Sequence, residues 1–102
     1  MARTAATNTV VILLTGEIDL ANSTEVGDQI CAAMSGDDAR PVLVDCSGVT
    51  FIDSRGIAML ARVQRAYSQA SRSLIWRGFN PHTLKVLRLL GVYDYLAIVD
   101  DL

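Results

Sequence analysis

The residues best suited to chemistry or ligand binding in this 102-residue sequence are four consecutive ones, Asp53-Ser54-Arg55-Gly56. Asp53 and Ser54 are typical helix-capping residues, and an apolar helical pattern begins directly after them at Ile57. The N–H groups at a helix N-terminus point outward and carry partial positive charge, which suits a phosphate or a carboxylate. We therefore expect the function of the chain to reside at this junction.

Residues suited to catalysis are few, and the sequence predicts that the protein is not an enzyme. The single histidine, His82, falls in a different predicted helix from Ser54, so no paired nucleophile and base is apparent. Asp19 and Asp53 follow neighbouring strands and could approach each other as an acid–base pair, but Asp53 is explained more simply as a helix cap. The glycine-rich phosphate loops of nucleotide-binding enzymes are absent from the sequence, and no cofactor is expected.

The remaining reactive side chains are those of two cysteines, Cys31 and Cys46. Their spacing matches no CxxC or Cys/His pattern, so no metal site is predicted. We expect two reduced, largely buried and unreactive thiols, with redox control as the alternative.

The composition is that of one globular domain. Hydrophobic residues make up 51% and charged residues 20% of the chain, which excludes disorder, and the net charge of -2 argues against nucleic-acid binding. No run approaches the roughly 20 apolar residues that cross a bilayer, and residues 1–9 lack the apolar core of a signal peptide. We expect a single domain over residues 1–102, cytoplasmic and not inserted into a membrane.

Strand and helix patterns alternate along the chain. Consecutive apolar residues predict strands over residues 8–17 and 42–44 that are buried on both faces, with Ser47-Gly48 as the turn by which the chain leaves the second strand. Asn22 precedes Glu25 by three residues, a spacing that resembles a capping box. The other predicted elements are a short strand before residue 8, unless the native chain starts further upstream, helices over residues 23–34, 54–70 and 81–90, and strands over residues 73–76 and 95–99. The last helix is expected to start with Asn80 as its cap and Pro81 at its first position, and to end at Gly91 as the C′ glycine.

This alternation predicts an α/β fold in which helices pack on a four- to five-stranded mixed sheet. Four arginines, Arg55, Arg62, Arg65 and Arg72, lie in or just after the second predicted helix, at spacings that place them on roughly one side. A solvated outer face is the ordinary interpretation. A basic docking strip for an acidic partner is the alternative.

The sequence around the junction resembles the signature of the STAS domain, which occurs in anti-sigma factor antagonists and in the cytoplasmic parts of some transporters. Residues 42–47, VLVDCS, and 49–57, VTFIDSRGI, follow the antagonist pattern at every position but one, and residues 16–19, GEID, match a second family motif. The exception is Arg55, because phosphorylated members carry at this position the Ser or Thr that a partner kinase modifies. The resemblance covers nearly the whole chain and implies a STAS fold.

The resemblance also implies that the chain binds an anti-sigma factor and thereby releases a sigma factor for transcription. In the antagonists, the docking surface lies around the N-terminus of the signature helix and the loop after the second motif. The anti-sigma factor is often a histidine-kinase-like serine kinase, whose phosphoryl transfer weakens docking by adding charge. The residues implied to bind the partner are Asp19, Asn22, Asp53, Ser54, Arg55, Gly56 and Ile57.

Arg55 leaves three interpretations open. The chain is an antagonist that escapes kinase control or responds to another signal, or Ser54 has become the phosphoacceptor, or Arg55 recognises an acidic patch or a phosphate through its forked donors. We favour the first, because the Ser54 hydroxyl is more simply used in helix capping.

An alternative from another functional class is an accessory subunit of a lipid-exporting ABC transporter. STAS-like subunits that bind the ATPase of those systems resemble this chain in the same region and also tend to lack the phosphoacceptor. Nucleotide or small-ligand binding in the signature cleft is compatible with either function.

Overall fold

The elements of the structure alternate as the sequence predicts. The computed structural model describes residues 2–4, 8–34 and 39–99. Within these residues the strands are β1 (Ala2–Thr4), β2 (Val10–Ile18), β3 (Val42–Ile52), β4 (Leu74–Arg77) and β5 (Ile98–Val99). The helices are α1 (Ser23–Ala32), α2 (Ser54–Gln69) and α3 (Pro81–Leu89).

The sheet of the described residues has the strand order β1-β2-β3-β4-β5. β2 to β5 run parallel to one another, because each pair is joined by a helix that returns the chain to the same end of the sheet. Antiparallel pairing is confined to the three residues of β1, which lie beside the start of β2. Four of the expected four to five strands are therefore parallel, and the mixed character expected of the sheet is limited to the short edge strand β1.

Strand β3 continues through the residues that were expected to leave the sheet. The predicted turn at Ser47 and Gly48 is wrong, because β3 extends to Ile52 beside β2. β2 ends one residue later than expected, because it runs past Gly16 to Ile18. Both strands therefore end side by side, with Ile18 paired to Ile52.

Two irregularities in the pairing allow the longer strand β3 to stay hydrogen-bonded to the shorter strand β2 along its length. The register shifts between Leu13 and Thr15 and again directly after Gly16, and each shift admits one extra residue of β3. Such bulges redirect a strand without ending it. The turn-like composition of Ser47-Gly48 reflects a bulged strand, which local sequence does not distinguish from a turn.

Asp45 supports the first of these irregularities. Its Oδ1 accepts a hydrogen bond from the Ser47 N–H group at 2.9 Å, and its Oδ2 accepts one from Arg77 Nη2 at 3.1 Å. Burial would raise the pKa of Asp45, but these hydrogen bonds and the Arg77 charge outweigh it and hold the pKa below its usual value. Asp45 therefore stabilises the fold fully above the ordinary aspartate pKa of about 3.9, and this contribution is lost as the pH falls through the lower folded value.

The core lies between the central strands and α2. The register places Ile12, Val44 and Trp76 in one row across β2, β3 and β4, and all three side chains are buried. Residues 42–44 are buried on both faces of the sheet, as their apolar run predicted. The middle of the sheet is therefore the most completely covered part of the described chain.

Two buried polar side chains tie α2 to its neighbours. Gln64 Oε1 accepts hydrogen bonds from Trp76 Nε1 at 2.9 Å and from the Ala97 N–H group at 3.3 Å. The Tyr67 hydroxyl donates to the Ile30 carbonyl oxygen of α1 at 2.7 Å. Burial raises the pKa of Tyr67 to about 12, so the hydroxyl keeps its proton and remains a donor at neutral pH.

The ends of α3 match their sequence signals. Asn80 Oδ1 accepts a hydrogen bond from the Thr83 N–H group at 2.8 Å, and Pro81 occupies the first helical position. Gly91 follows the helix with a φ of 73°, the left-handed conformation predicted for it. No helix within the described residues is both long and apolar enough to cross a membrane.

Gln64→Met should lower the free energy of unfolding by about 2 kcal/mol, because it leaves the Trp76 indole N–H without an acceptor in the core. Gln69→Met makes the same change at an exposed position of the same helix and should alter stability by less than about 0.5 kcal/mol. Urea unfolding followed by Trp76 fluorescence measures both variants. Equal stabilities would show that the buried hydrogen bond contributes little.

Candidate functional site

A single carboxylate joins the two chain segments that the sequence singled out. Asp53 Oδ1 accepts a hydrogen bond from the Gly56 N–H group at 2.9 Å and caps α2, as predicted. Asp53 Oδ2 accepts a second from the Leu20 N–H group at 3.1 Å, 33 residues away in sequence. The Asp53 N–H group donates to the Ile18 carbonyl oxygen at 3.1 Å. The loop after β2 and the start of α2 are therefore held together as one surface.

Polar side chains fold the loop after β2 on itself. Asn22 Oδ1 accepts a hydrogen bond from the Asp19 N–H group at 2.9 Å, and Asn22 Nδ2 donates to the Glu17 carbonyl oxygen at 2.8 Å. Asp19 Oδ1 accepts one from the Ala21 N–H group at 2.9 Å. The predicted capping box with Glu25 is wrong. Asn22 occupies the N-cap position of α1, but its side chain makes no capping hydrogen bond because its amide is committed to the loop.

The surface held by Asp53 combines apolar area with charge. Ser54 and Arg55 are exposed at the first two positions of α2, and Leu20 is 66% exposed in the neighbouring loop. Leu20 was not among the residues that the sequence predicted at this surface. An apolar residue in a polar loop, directly after the GEID motif, was the signal that could have identified it.

Two of the predicted partner-binding residues lie below this surface. Gly56 is buried and Ile57 is only 6% exposed. A Cβ atom on residue 56 would lie 3.0 Å from the Ile18 carbonyl oxygen and closer still to the Ile52 side chain, so glycine allows α2 to start against the strand ends. Both residues therefore support the surface from below, and their part in binding a partner stays a prediction.

The arginines of α2 do not form one continuous strip. Arg55, Arg62 and Arg65 are exposed. Arg72 instead turns toward α1, and its Nη1 donates to the Met34 carbonyl oxygen at 2.9 Å. The C-terminal end of the predicted basic strip is therefore a structural contact between two helices.

The side chains considered for catalysis or metal binding have structural explanations. The carboxylates of Asp19 and Asp53 accept hydrogen bonds from backbone N–H groups, which accounts for both without acid–base chemistry. His82 is exposed in the first turn of α3. Across residues 2–4, 8–34 and 39–99, no three His, Cys, Asp or Glu side chains are grouped to hold a metal ion.

The two cysteines are free thiols. Cys46 is buried in β3, and burial raises the pKa of its thiol to about 12. Burial also raises the pKa of the half-buried Cys31, although the nearby charge of Arg62 opposes the increase. Because the thiolate is the reactive form, neither cysteine is an activated nucleophile at neutral pH.

Comparison with known proteins assigns this architecture to a family. The family described as "Mlab, STAS domain" matches residues 1–100. The chain belongs to the STAS domain family. The resemblance of its two motifs to that family is confirmed, and the STAS fold of this chain carries three helices and four parallel strands in its described residues.

Solved STAS structures share this fold at low sequence identity. Protein tm1081 of Thermotoga maritima superposes with a TM-score of 0.84 at 14% identity, covering 100% of this chain and 86% of its own. SpoIIAA of Bacillus, in its phosphorylated form, gives 0.72 at 21% identity, covering 100% and 90%. The mouse anion transporter Slc26a9 gives 0.79 at 19% identity, covering 93% of this chain but 16% of the transporter. Because these identities are low, the likenesses establish the fold alone. No curated protein sequence matches significantly.

Asp53→Ala should lower the free energy of unfolding by about 1–2 kcal/mol through loss of the α2 cap, and should also speed hydrogen exchange at the Leu20 amide. Asn80→Ala, the control, removes the equivalent cap of α3 and should leave Leu20 unaffected. Urea unfolding and NMR-detected hydrogen exchange measure the two effects. An unchanged exchange rate at Leu20 in Asp53→Ala would contradict the bridging role of the carboxylate.

Proposed function

We propose that this STAS domain is a cytoplasmic anti-sigma factor antagonist, which docks onto an anti-sigma factor and thereby releases a sigma factor. It acts by protein–protein binding, without catalysis, a cofactor or nucleic acid. The observation that carries the proposal is the pair of hydrogen bonds accepted by Asp53, because they join the two segments that the family resemblance assigns to docking. The similarity in fold to SpoIIAA, an anti-sigma factor antagonist, supports it.

The docking surface consists of the exposed residues around the Asp53 carboxylate. Leu20 supplies its apolar contact, since its side chain is 66% exposed and its backbone is held by Asp53. Ser54 and Arg55 form a polar margin on one side. An apolar centre within a polar rim is the usual arrangement of a protein interface. The members of the docking surface are Asp19, Leu20, Asn22, Asp53, Ser54 and Arg55.

Arg55 determines how the antagonist is regulated. It stands where the resemblance places the phosphoacceptor, and a guanidinium group cannot receive a phosphoryl group there. Docking is therefore not switched at this position, and the antagonist stays competent to bind. Modification of Ser54 is the alternative. The expectation that its hydroxyl caps the helix is wrong, because Asp53 is the cap and Ser54 is exposed.

A second candidate function is that of an accessory subunit of an ABC lipid transporter. Two observations favour it: Arg55 leaves no phosphoacceptor at the signature position, and the STAS fold also occurs in an anion transporter. The same docking surface would then bind the transporter ATPase. The two functions differ in the partner and share the chemistry of the surface.

Affinity capture of the tagged protein from lysate of its source organism, with mass spectrometry, should recover an anti-sigma factor. Leu20→Asp should reduce that recovery at least tenfold, because it places a charge at the apolar centre of the interface. Leu89→Asp makes the same change at a leucine that is 75% exposed at the end of α3, and should leave recovery unchanged. Recovery of an ABC permease or its ATPase, with the same dependence on Leu20, would establish the transporter function instead.

Incubation with the captured anti-sigma kinase and ATP should leave the mass of the wild-type protein unchanged. Arg55→Ser should gain one phosphate, because it restores a hydroxyl at the family's acceptor position. Arg55→Ala, which removes the same charge without adding a hydroxyl, should remain unmodified. Phosphorylation of the wild-type protein at Ser54 would contradict the escape from kinase control.

A further inference from the structure

A crevice between α1 and α2 lies beside the docking surface. Its volume is about 170 Å³, and its polar lining consists of two guanidinium groups and two hydroxyl groups, without a carboxylate. Such a lining is rich in hydrogen-bond donors and positive charge, so it selects for an anion. The lining residues are Ser23, Thr24, Arg55, Ala58, Met59 and Arg62.

Both guanidinium groups of the crevice are available to a ligand. Arg55 and Arg62 are exposed, and neither forms an ion pair with another described residue. The Arg62 guanidinium group packs so closely against Gly27 of α1 that a Cβ atom on residue 27 would collide with it. Arg55 lies in the first turn of α2, where a cation is unfavourable unless an anion accompanies it.

The first turn of α1 lies at the same crevice, because Ser23 and Thr24 line it. Because Asn22 is committed to the loop, no side chain caps this helix. The Ser23 N–H group donates to the Asp19 carbonyl oxygen, but no hydrogen bond between described residues uses the N–H groups of Thr24 and Glu25.

Ser23 adds a hydroxyl group to the crevice. The residue is only 7% exposed and lines the crevice, and its hydroxyl has no hydrogen-bond partner among the described residues. This hydroxyl is therefore free to donate a hydrogen bond to a ligand in the crevice.

We propose that this crevice binds the phosphate group of a small, soluble phosphate monoester. A monoester carries a charge of about -1.5 to -2, which matches two guanidinium groups, and three acceptor oxygens for the surrounding hydroxyl and N–H donors. A carboxylate would compensate only one of the two charges. The crevice volume of about 170 Å³ is large enough to admit a phosphate group.

NMR titration of the ¹⁵N-labelled protein with inorganic phosphate and with glycerol 3-phosphate tests this site. Saturable shifts are expected at the Thr24 and Glu25 amides. Arg62→Gln should raise the apparent Kd about tenfold or more, because it removes a charge-assisted interaction. Arg65→Gln removes the same charge from an exposed position of the same helix outside the crevice, and should leave the Kd unchanged.

A second variant tests the placement of Arg62 without changing its charge. Gly27→Ala displaces the guanidinium and should weaken phosphate binding in the same direction as Arg62→Gln. If the packing of Gly27 does not tolerate alanine, the comparison of Arg62→Gln with Arg65→Gln still decides the question, since both residues are exposed.

Shifts that do not saturate, or equal weakening by Arg62→Gln and Arg65→Gln, would overturn the site and indicate general attraction of anions to a basic helix. Phosphatidylcholine vesicles containing phosphatidic acid separate the two sources of phosphate. Arg62-dependent vesicle binding without glycerol 3-phosphate binding would overturn the assignment to a soluble monoester. None of these measurements involves a protein partner, so their outcome is separate from that of the proposed antagonist function.

Discussion

The proposed docking surface of this STAS domain depends on one carboxylate that accepts hydrogen bonds from two segments of the chain. Asp53 caps α2 through one oxygen and holds the Leu20 backbone through the other. Without this carboxylate, the loop after β2 and the first turn of α2 would be positioned independently. Charge-assisted hydrogen bonds are strong enough to hold both segments in place. The arrangement is available because β2 and β3 end side by side at Ile18 and Ile52. Strand length, set by two bulges, therefore decides where the surface is formed.

The fold and the proposed regulation are separable in this chain. Arg55 is exposed on the first turn of α2, so a change of residue there costs the core nothing and alters only what the surface presents. Gly56, one position further, is packed against the strand ends and has no such freedom. STAS domains with different partners can thus share one architecture, since function lies in a few exposed positions on a common scaffold.

The sequence by itself determined the features that are encoded locally. Caps are formed by side chains within three residues of their partners, and both Asp53 and Asn80 were identified on that basis. Apolar runs also predicted the order of strands and helices and the burial of residues 42–44, because burial follows hydrophobic patterning. Family motifs added the fold, since the residues that shape the two strand ends are part of the signature.

Only the tertiary structure decided the features that depend on neighbours distant in sequence. Ser47 and Gly48 have turn composition, but β2 lies beside them and keeps them in the sheet. Asn22 has the spacing of a helix cap, yet its amide is used by the loop. The exposure of Leu20 follows from the same loop conformation. A polar or small residue can satisfy several local arrangements, and the through-space partner that selects one of them is absent from the local sequence.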